Sequence, residues 1–301
     1  MNLNDLKPFP ALQQVCEDLL HKKYFHGEEK SLHDQQLRVA SGLAKNEPKH
    51  TQKKWEKDFY EALQYLILGG RINASAGVEG VYRTWVNCFV QPLSDSVFDP
   101  VDDVPSIFMA VNEAAQTMRL GGGVGYDFSP IRPKGAWIKK TKSLASGPVS
   151  YMQVFNSMCG TVISAGARRG AQMGILRCDH PDVLEFITCK KVDDQSTPWD
   201  KRPLRNFNLS VGVTDALMEA YQSNGDFELV HVAEPGPEFK EAGAYQRQDG
   251  MWVYRKVNAV ELYDAIMEST YQRAEPGVVF LDRINQDNNL RYIETIAATN
   301  P

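Results

Sequence analysis

The sequence lacks several features that would anchor a chain in a membrane or tie it together covalently. It has no apolar run near the roughly 20 residues that a membrane-spanning helix needs, and residues 1–10 lack the basic and apolar parts of a signal peptide. Cysteine is scarce, and the five present are odd in number with no Cys-x-x-Cys pair, so neither a disulfide framework nor a zinc site is indicated. We therefore expect a cytoplasmic protein with no membrane contact and no bound metal.

A strong charge of either sign is also missing. The net charge is -5 over 301 residues, which provides no overall attraction to nucleic acid or to an anionic membrane. With 43% hydrophobic and 24% charged residues, the composition is that of a globular protein with a large core. An anionic ligand would have to meet a local basic pocket.

Hydrophobic periodicity divides the chain into two regions. Residues 1–68 repeat apolar positions at helical spacing, which predicts a helical N-terminal region. Residues 69–301 alternate short apolar runs with amphipathic segments, which predicts a parallel α/β domain. The predicted strands are residues 84–90, 124–128, 172–176, 208–213 and 277–281, and the predicted helices between them include 105–118 and 148–163. The polar stretches 189–206 and 236–251 are predicted to be surface excursions.

Two loops contain residue types that suit a nucleotide. The run Gly-Gly-Gly-Val-Gly at 121–125 lets the backbone approach a ligand closely, although a tight turn explains such a run equally well. It matches neither a phosphate-binding loop of the Walker type nor a Rossmann fingerprint. The loop 164–174 combines small residues with Arg168 and Arg169, which suit phosphate oxygens or a base edge. A solvated loop with surface ion pairs is the alternative.

Five motifs follow one another along the chain: Arg-Leu with the glycine run and Ser-Pro-Ile-Arg-Pro at 119–133, the loop 164–174, Asn-Phe-Asn-Leu-Ser-Val at 206–211, Glu-Pro-Gly and Phe-Leu-Asp-Arg-Ile-Asn within 275–285, and Ala-Thr-Asn-Pro at 298–301. Taken in order, they resemble the catalytic large subunit of ribonucleotide reductases. The resemblance extends from about residue 15 to the end, and the sequences of the motifs are most similar to those of the adenosylcobalamin-dependent class. It implies a helical segment followed by the first half of a ten-stranded α/β barrel, and reduction of ribonucleotides to deoxyribonucleotides by thiyl-radical chemistry.

The resemblance also implies roles for individual residues. Cys88 matches one of the two cysteines that reduce the substrate and end as a disulfide, although a core cysteine is the commoner fate of a free thiol. Asn300 matches an asparagine that hydrogen-bonds the substrate ribose. The further residues that match substrate-binding positions are Ser75, Asn87, Gly122, Gly123 and Arg169. For the other cysteines, Cys16, Cys159, Cys178 and Cys189, a core position is the preferred interpretation.

A second nucleotide site is implied by the same resemblance. Asp95 matches a carboxylate that binds the ribose of a deoxynucleoside triphosphate effector, with a helix-capping Asp as the alternative. Arg132 and Lys139 match positions that suit its triphosphate, although a basic run such as Lys139, Lys140 and Lys142 is usually a solvated face.

The resemblance further implies what the chain works with. We expect adenosylcobalamin as the cofactor of the complete enzyme, a thioredoxin-like reductant, and a homodimer when the enzyme is complete. The radical cysteine is expected directly after Pro301, so a complementary C-terminal part would be needed and the chain alone is expected to be inactive. Two alternatives stay open: an iron-dependent or anaerobic reductase, and a non-catalytic nucleotide-binding fragment.

Overall fold

A computed structural model describes residues 13–65, 68–162, 170–191, 198 and 202–301. Backbone contacts divide the chain into two compact units. The first contains the described residues up to Asn87 together with 120–122, and the second contains Cys88–Arg119 and the described residues from Gly123 onward. The division predicted from the sequence, into a helical region 1–68 and an α/β domain 69–301, stays a prediction.

The first unit is helical, and its helical structure continues past residue 68. Its described helices are α1 (Gln14–Lys23), α2 (Leu32–Ala44), α3 (Gln52–Leu63) and α4 (Gly70–Ser75). Helix α2 begins at a capping box: the Ser31 hydroxyl accepts from the Asp34 N–H, and the Asp34 carboxylate accepts from the Ser31 N–H. Val39, Ala40 and Leu63 form the buried centre of a small core between α2 and α3.

The second unit is built around a parallel sheet. Its described strands are β1 (Cys88–Val90), β2 (Gly123–Asp127), β3 (Trp137–Ile138), β4 (Ser143–Leu144), β5 (Gln172–Arg177), β6 (Phe207–Val213), β7 (Asp226–His231), β8 (Tyr245–Gln246), β9 (Trp252–Asn258) and β10 (Gly277–Phe280). Its described helices are α5 (Ile107–Arg119), α6 (Pro148–Thr161), α7 (Val183–Thr188), α8 (Asp215–Gln222), α9 (Pro237–Glu241), α10 (Ala259–Arg273) and α11 (Leu281–Asp287). The central sheet has the order β1-β2-β5-β6-β10, and every neighbouring pair is parallel.

The predicted fold class is confirmed by this arrangement. The five predicted strands are the five strands of the central sheet, with ends that differ by a few residues. A parallel neighbour needs a long crossover, and the helices between successive strands supply it. The inner strands β2, β5 and β6 are largely buried and mostly apolar, which explains why apolar runs predict them.

The two faces of β2 have opposite characters. Tyr126 and Phe128 point to one face, where they pack edge-on against Phe155 of α6 with ring centroids 4.8 Å and 5.5 Å away. Side chains alternate along a strand, so Gly123 and Gly125 lie on the other face. The aromatic face forms the main core, and the glycine face is left open for a close approach by backbone.

A second sheet of this unit is antiparallel. Strands β7, β9 and β8 form it, in that spatial order, and residues 236–251 contribute α9 and β8 to this region. Residues 237–251 are exposed or half-buried, which agrees with the predicted surface excursion, although the stretch contains short elements rather than a plain loop. Strand β7 alternates, with Phe227 and Leu229 buried between more exposed side chains, and this alternation gives it one face toward the core while it pairs with β9.

Among the residues described, no helix is long and apolar enough to cross a membrane.

Candidate active site

The thiol of Cys88 lies beside the backbone of residues 299–301. Cys88 begins β1, and its register partner on β2 is Gly123. The sulfur donates a weak hydrogen bond to the Pro301 carbonyl oxygen, with Sγ and O 3.6 Å apart. Three residues predicted to act on substrate, Cys88, Gly123 and Asn300, therefore belong to one locality at the start of the parallel sheet.

Residues 296–301 reach this position along the glycine face of β2. The Asn285 side chain holds Ile296 as a backbone strand would: its Nδ2 donates to the Ile296 carbonyl at 2.8 Å and its Oδ1 accepts from the Ile296 N–H at 2.7 Å. Ala298 is buried against Met173 and Ile175 of β5. Residues 296–301 therefore cross the sheet on its glycine face in a fixed register.

Asn300 itself points its side chain outward. It is exposed, and its Nδ2 donates only to the adjacent Pro301 carbonyl, at 3.3 Å. An exposed carboxamide beside a thiol leaves an oxygen and an N–H available for a bound hydroxyl group.

The predicted site residues Ser75, Asn87 and Gly122 belong to the helical unit. Asn87 is exposed and Gly122 is buried, next to Gly121, whose φ of +94° an L side chain rarely adopts. Ser75 is 4% exposed, and its hydroxyl has no hydrogen-bond partner among the described residues. An unpartnered buried hydroxyl is costly, so it marks a position where a ligand atom or water would be stabilising.

The backbone around Ser75 is held by side chains that the sequence did not suggest. Arg38 donates to the Asn73 carbonyl at 3.0 Å and to the Ala76 carbonyl at 2.5 Å, while His26 donates to the Ala74 carbonyl at 2.8 Å. The signal in the sequence is Arg38, a charged residue among the apolar residues Leu37, Val39 and Ala40 of α2; nothing comparable marks His26.

Asp95 and Arg132, both predicted to bind an effector, are paired with each other. Asp95 Oδ1 accepts from the Arg132 backbone N–H at 3.0 Å, and Oδ2 accepts from Arg132 Nε at 2.8 Å. The side chain of Asp95 is 27% exposed and that of Arg132 is 30% exposed, so solvent can reach the pair. The charge-assisted bonds fix the turn after β2 against the segment after β1.

A cavity of about 660 Å³ opens at the carboxyl ends of β1 and β2. Its lining is mostly apolar and comes from three stretches of chain, residues 90–95, 101–104 and 294–298, together with Asp127 and Pro130. Burial raises the pKa of Asp127, against hydrogen bonds from Ser129 that lower it. Asp95 lines this cavity, whereas its partner Arg132 is not among the lining residues.

The remaining predicted effector and substrate residues lie elsewhere. Lys139 follows β3, is largely exposed, and pairs with Glu234, its Nζ lying 3.3 Å from the carboxylate. Lys139 does not line the cavity beside Asp95. Arg169 and most of the loop 164–174 lie outside the described residues.

The other cysteines have different surroundings from Cys88. Burial raises the pKa of Cys159 and of Cys178 to about 11 and that of Cys189 to about 12, so little thiolate exists at neutral pH. Within the described part of the chain, no group of three or more His, Cys, Asp or Glu side chains could hold a metal ion.

Comparison with known proteins identifies the fold that carries this site. The family model described as "Ribonucleotide reductase, barrel domain" matches residues 86–301, which include the whole parallel sheet, Cys88 and the segment 299–301. The chain belongs to the ribonucleotide reductase family. The resemblance inferred from the five motifs is thereby confirmed.

Several curated ribonucleotide reductases are similar to the chain. The vitamin B12-dependent ribonucleoside-diphosphate reductase of Thermoplasma acidophilum is 36% identical over 71% of this chain and 24% of its own length. The enzyme of the same description from Mycobacterium tuberculosis is 39% identical over 71% of this chain and 27% of its length. The ribonucleoside-diphosphate reductase subunit alpha of Synechocystis is 27% identical over 88% of this chain and 35% of its length. This reductase chain therefore spans about a quarter of the B12-dependent relatives that it matches.

Proposed function

We propose that the chain forms part of the catalytic subunit of a vitamin B12-dependent ribonucleoside-diphosphate reductase, in which Cys88 is one of the two reducing thiols. The observation that carries the proposal is the position of the Cys88 sulfur, half-buried at the start of the sheet and 3.6 Å from the Pro301 carbonyl. The names of the two relatives at 36% and 39% identity support diphosphates as substrates and B12 as the cofactor.

The reaction requires two thiols. A ribonucleotide and two thiols give a deoxyribonucleotide, water and a disulfide, so the two sulfur atoms supply the two electrons that replace the 2'-hydroxyl by hydrogen. Cys88 supplies one sulfur and holds its proton toward the Pro301 oxygen in the resting chain. A thioredoxin-like dithiol would then return the disulfide to two thiols.

Substrate contacts are assigned by the same proposal. Gly123 presents bare backbone beside Cys88, and the exposed carboxamide of Asn300 suits a ribose hydroxyl. Gly122, Asn87 and Arg169 are proposed to complete the nucleotide site. Ser75 is proposed to meet a phosphate oxygen, which its unpartnered buried hydroxyl supports.

The effector site is proposed around Asp95, Arg132 and Lys139. A carboxylate has about four acceptor positions. Asp95 uses one on each oxygen for Arg132, so both oxygens can still accept from ribose hydroxyls. Deoxynucleoside triphosphates are the proposed ligands.

Adenosylcobalamin does not fit the described residues. The cavity at the ends of β1 and β2 is smaller than a corrinoid, is mostly apolar, and has no imidazole in its lining. In this proposal the cofactor binds other parts of the complete reductase. B12 dependence in this proposal rests on the relatives' names.

The decisive experiment is turnover by a reductase assembled with Cys88→Ser. With a dithiol reductant, the serine variant should complete no repeated cycles, because one of the two electron-donating sulfurs is gone, while nucleotide binding stays largely intact. Cys178→Ser serves as the matched control, since Cys178 is fully buried beside the Thr214 hydroxyl.

Repeated turnover by Cys88→Ser at the rate of the unaltered enzyme would show that Cys88 is not one of the reducing thiols. Activity that needs a small radical subunit and no adenosylcobalamin would instead favour the iron-dependent class.

A further inference from the structure

The glycine face of β2 is in closer contact with residues 299–301 than any side chain would allow. A Cβ built on Gly125 would lie 1.9 Å from the Thr299 carbonyl oxygen and 3.1 Å from the Asn300 Cα. A Cβ on Gly123 would lie 2.9 Å from the Pro301 ring. Real Cβ contacts are essentially never below 3.0 Å, so the two backbones touch only because β2 carries no side chain here.

Backbone conformation does not explain these glycines. Neither Gly123 nor Gly125 has a positive φ, so alanine could adopt the backbone angles of both. What alanine could not do at Gly125 is avoid the Thr299 backbone, and a main-chain atom has no flexible end that can move aside. The close approach alone therefore accounts for glycine at this position.

The crossing segment has little freedom to retreat. The two hydrogen bonds between Asn285 and Ile296 hold it on one side of the contact, and the burial of Ala298 on β5 holds it next to the contact itself. On the other side lies the bond from Cys88 to the Pro301 carbonyl. The segment runs from Gly125 toward Gly123, opposite to β2, so any displacement at Thr299 is passed on to Pro301.

We propose that Gly125 is a positioning residue: its bare backbone seats residues 299–301 on β2 and thereby sets the Pro301 carbonyl against the Cys88 thiol. The importance of this for reduction rests on the proposed function, but the seat itself does not. In Gly125→Ala the added methyl group pushes the segment off the sheet and uncovers the Cys88 sulfur.

The test measures the alkylation rate of each cysteine in the full chain by iodoacetamide labelling and peptide mass spectrometry. Overpacking of this kind shifts a local equilibrium by roughly tenfold or more, so Cys88 in Gly125→Ala should react roughly tenfold faster relative to Cys16 of the same molecule. Cys16 lies on α1 in the helical unit, which makes it an internal reference for reagent and pH.

Gly174→Ala is the matched control. Gly174 is also a strand glycine of this sheet, but its Cβ would meet the terminal methyl of Met152 at 2.9 Å, on the aromatic face. A methionine end can move aside. The ratio of Cys88 to Cys16 alkylation should stay unchanged in this variant.

A folded Gly125→Ala chain with an unchanged ratio would overturn the proposal. If circular dichroism shows that Gly125→Ala does not fold, the chain shortened to end at Ala298 decides the matter, because its sheet keeps the native glycines. In that shortened chain the ratio of Cys88 to Cys16 alkylation should rise by a similar factor. An unchanged ratio would show that residues 299–301 do not cover the Cys88 thiol, which contradicts the proposal. Neither result bears on whether Cys88 reduces substrate, which turnover by Cys88→Ser tests separately.

Discussion

Single residues at this site divide into those that a motif reveals and those that only contact reveals. Short motifs predict roles for Cys88 and Asn300, because the chemistry proposed for each is carried by its residue type. Asn285 and Gly125 could not, since each acts on backbone 11 or more residues away in sequence. Hydrophobic periodicity shows which face a residue occupies but not which main-chain atom lies against it.

Asp95 provides a test at the residue scale. If the described fold binds a deoxynucleoside triphosphate at the proposed effector site, ligand at 100 times its Kd should stabilise the native state by about 2.7 kcal/mol and raise the Tm. Asp95→Ala removes both carboxylate oxygens that face Arg132, so the ligand-induced rise in Tm should shrink in this variant.

Asp102→Asn is the control for this measurement, because Asp102 lines the same cavity and has a left-handed φ of 47° that asparagine tolerates. Each variant is compared with its own ligand-free Tm. If the ligand raises the Tm of the Asp95 variant as much as that of the unaltered chain, Asp95 does not contribute to effector binding.

At the scale of elements, the central sheet was predictable and the antiparallel sheet was missed. Buried parallel strands give continuous apolar runs, which the sequence displays clearly. Strand β7 instead alternates, with Phe227, Leu229 and His231 buried between more exposed neighbours. That period of two is visible in the sequence, but the polar, glycine-bearing stretch 236–251 that follows β7 predicts a surface excursion and hides the pairing of β7 with later strands.

The loop between β2 and β3 and the start of α7 are joined by a buried carboxyl group. Asp182 Oδ2 accepts from the Lys134 N–H at 2.8 Å, and the residue is 7% exposed. Burial raises the pKa of Asp182 to about 6, against a usual value of 3.8, because the charged form is poorly solvated. The folded state therefore holds this proton at pH values where the unfolded state has lost it.

This pKa predicts a pH dependence of stability. The group's contribution is fully present below pH 3.8 and is lost as pH rises through about 6. Asp182→Asn keeps a side-chain oxygen for Lys134 and removes the ionisation. Its free energy of unfolding, relative to the unaltered chain, should rise by about 3 kcal/mol between pH 3.8 and pH 7 in urea titrations.

Glu234→Gln should change in the opposite direction. Hydrogen bonds from Lys240 and Lys139 lower the pKa of Glu234, so the variant loses stability relative to the unaltered chain as pH rises. Parallel stability curves for Asp182→Asn and the unaltered chain would show that the Asp182 carboxyl ionises alike in the folded and unfolded states.

At the scale of the whole molecule, the parallel sheet has two open edges among the described residues. Strands β1 and β10 each pair with one neighbour, and Val90 and Phe280 are 51% and 43% exposed. Open edges with apolar side chains favour association with further strands. The relatives, about four times as long as the matched region, have the polypeptide from which such strands could come.

These edges predict that the 301-residue chain needs more polypeptide before it can reduce a ribonucleotide. Mixed with a polypeptide that supplies the rest of a reductase barrel, together with adenosylcobalamin and a dithiol, it should form deoxyribonucleotide, and alone it should form none. Pairing at the sheet edges should also protect amide hydrogens of β1 and β10 from exchange in the mixture. Chromatographic assay of the deoxyribonucleotide and hydrogen exchange measure the two effects.

A mixture made with Cys88→Ser separates assembly from chemistry: it should show the same edge protection without repeated turnover. Product formed by the chain alone, in a preparation whose mass corresponds to 301 residues, would contradict the need for a complementary part.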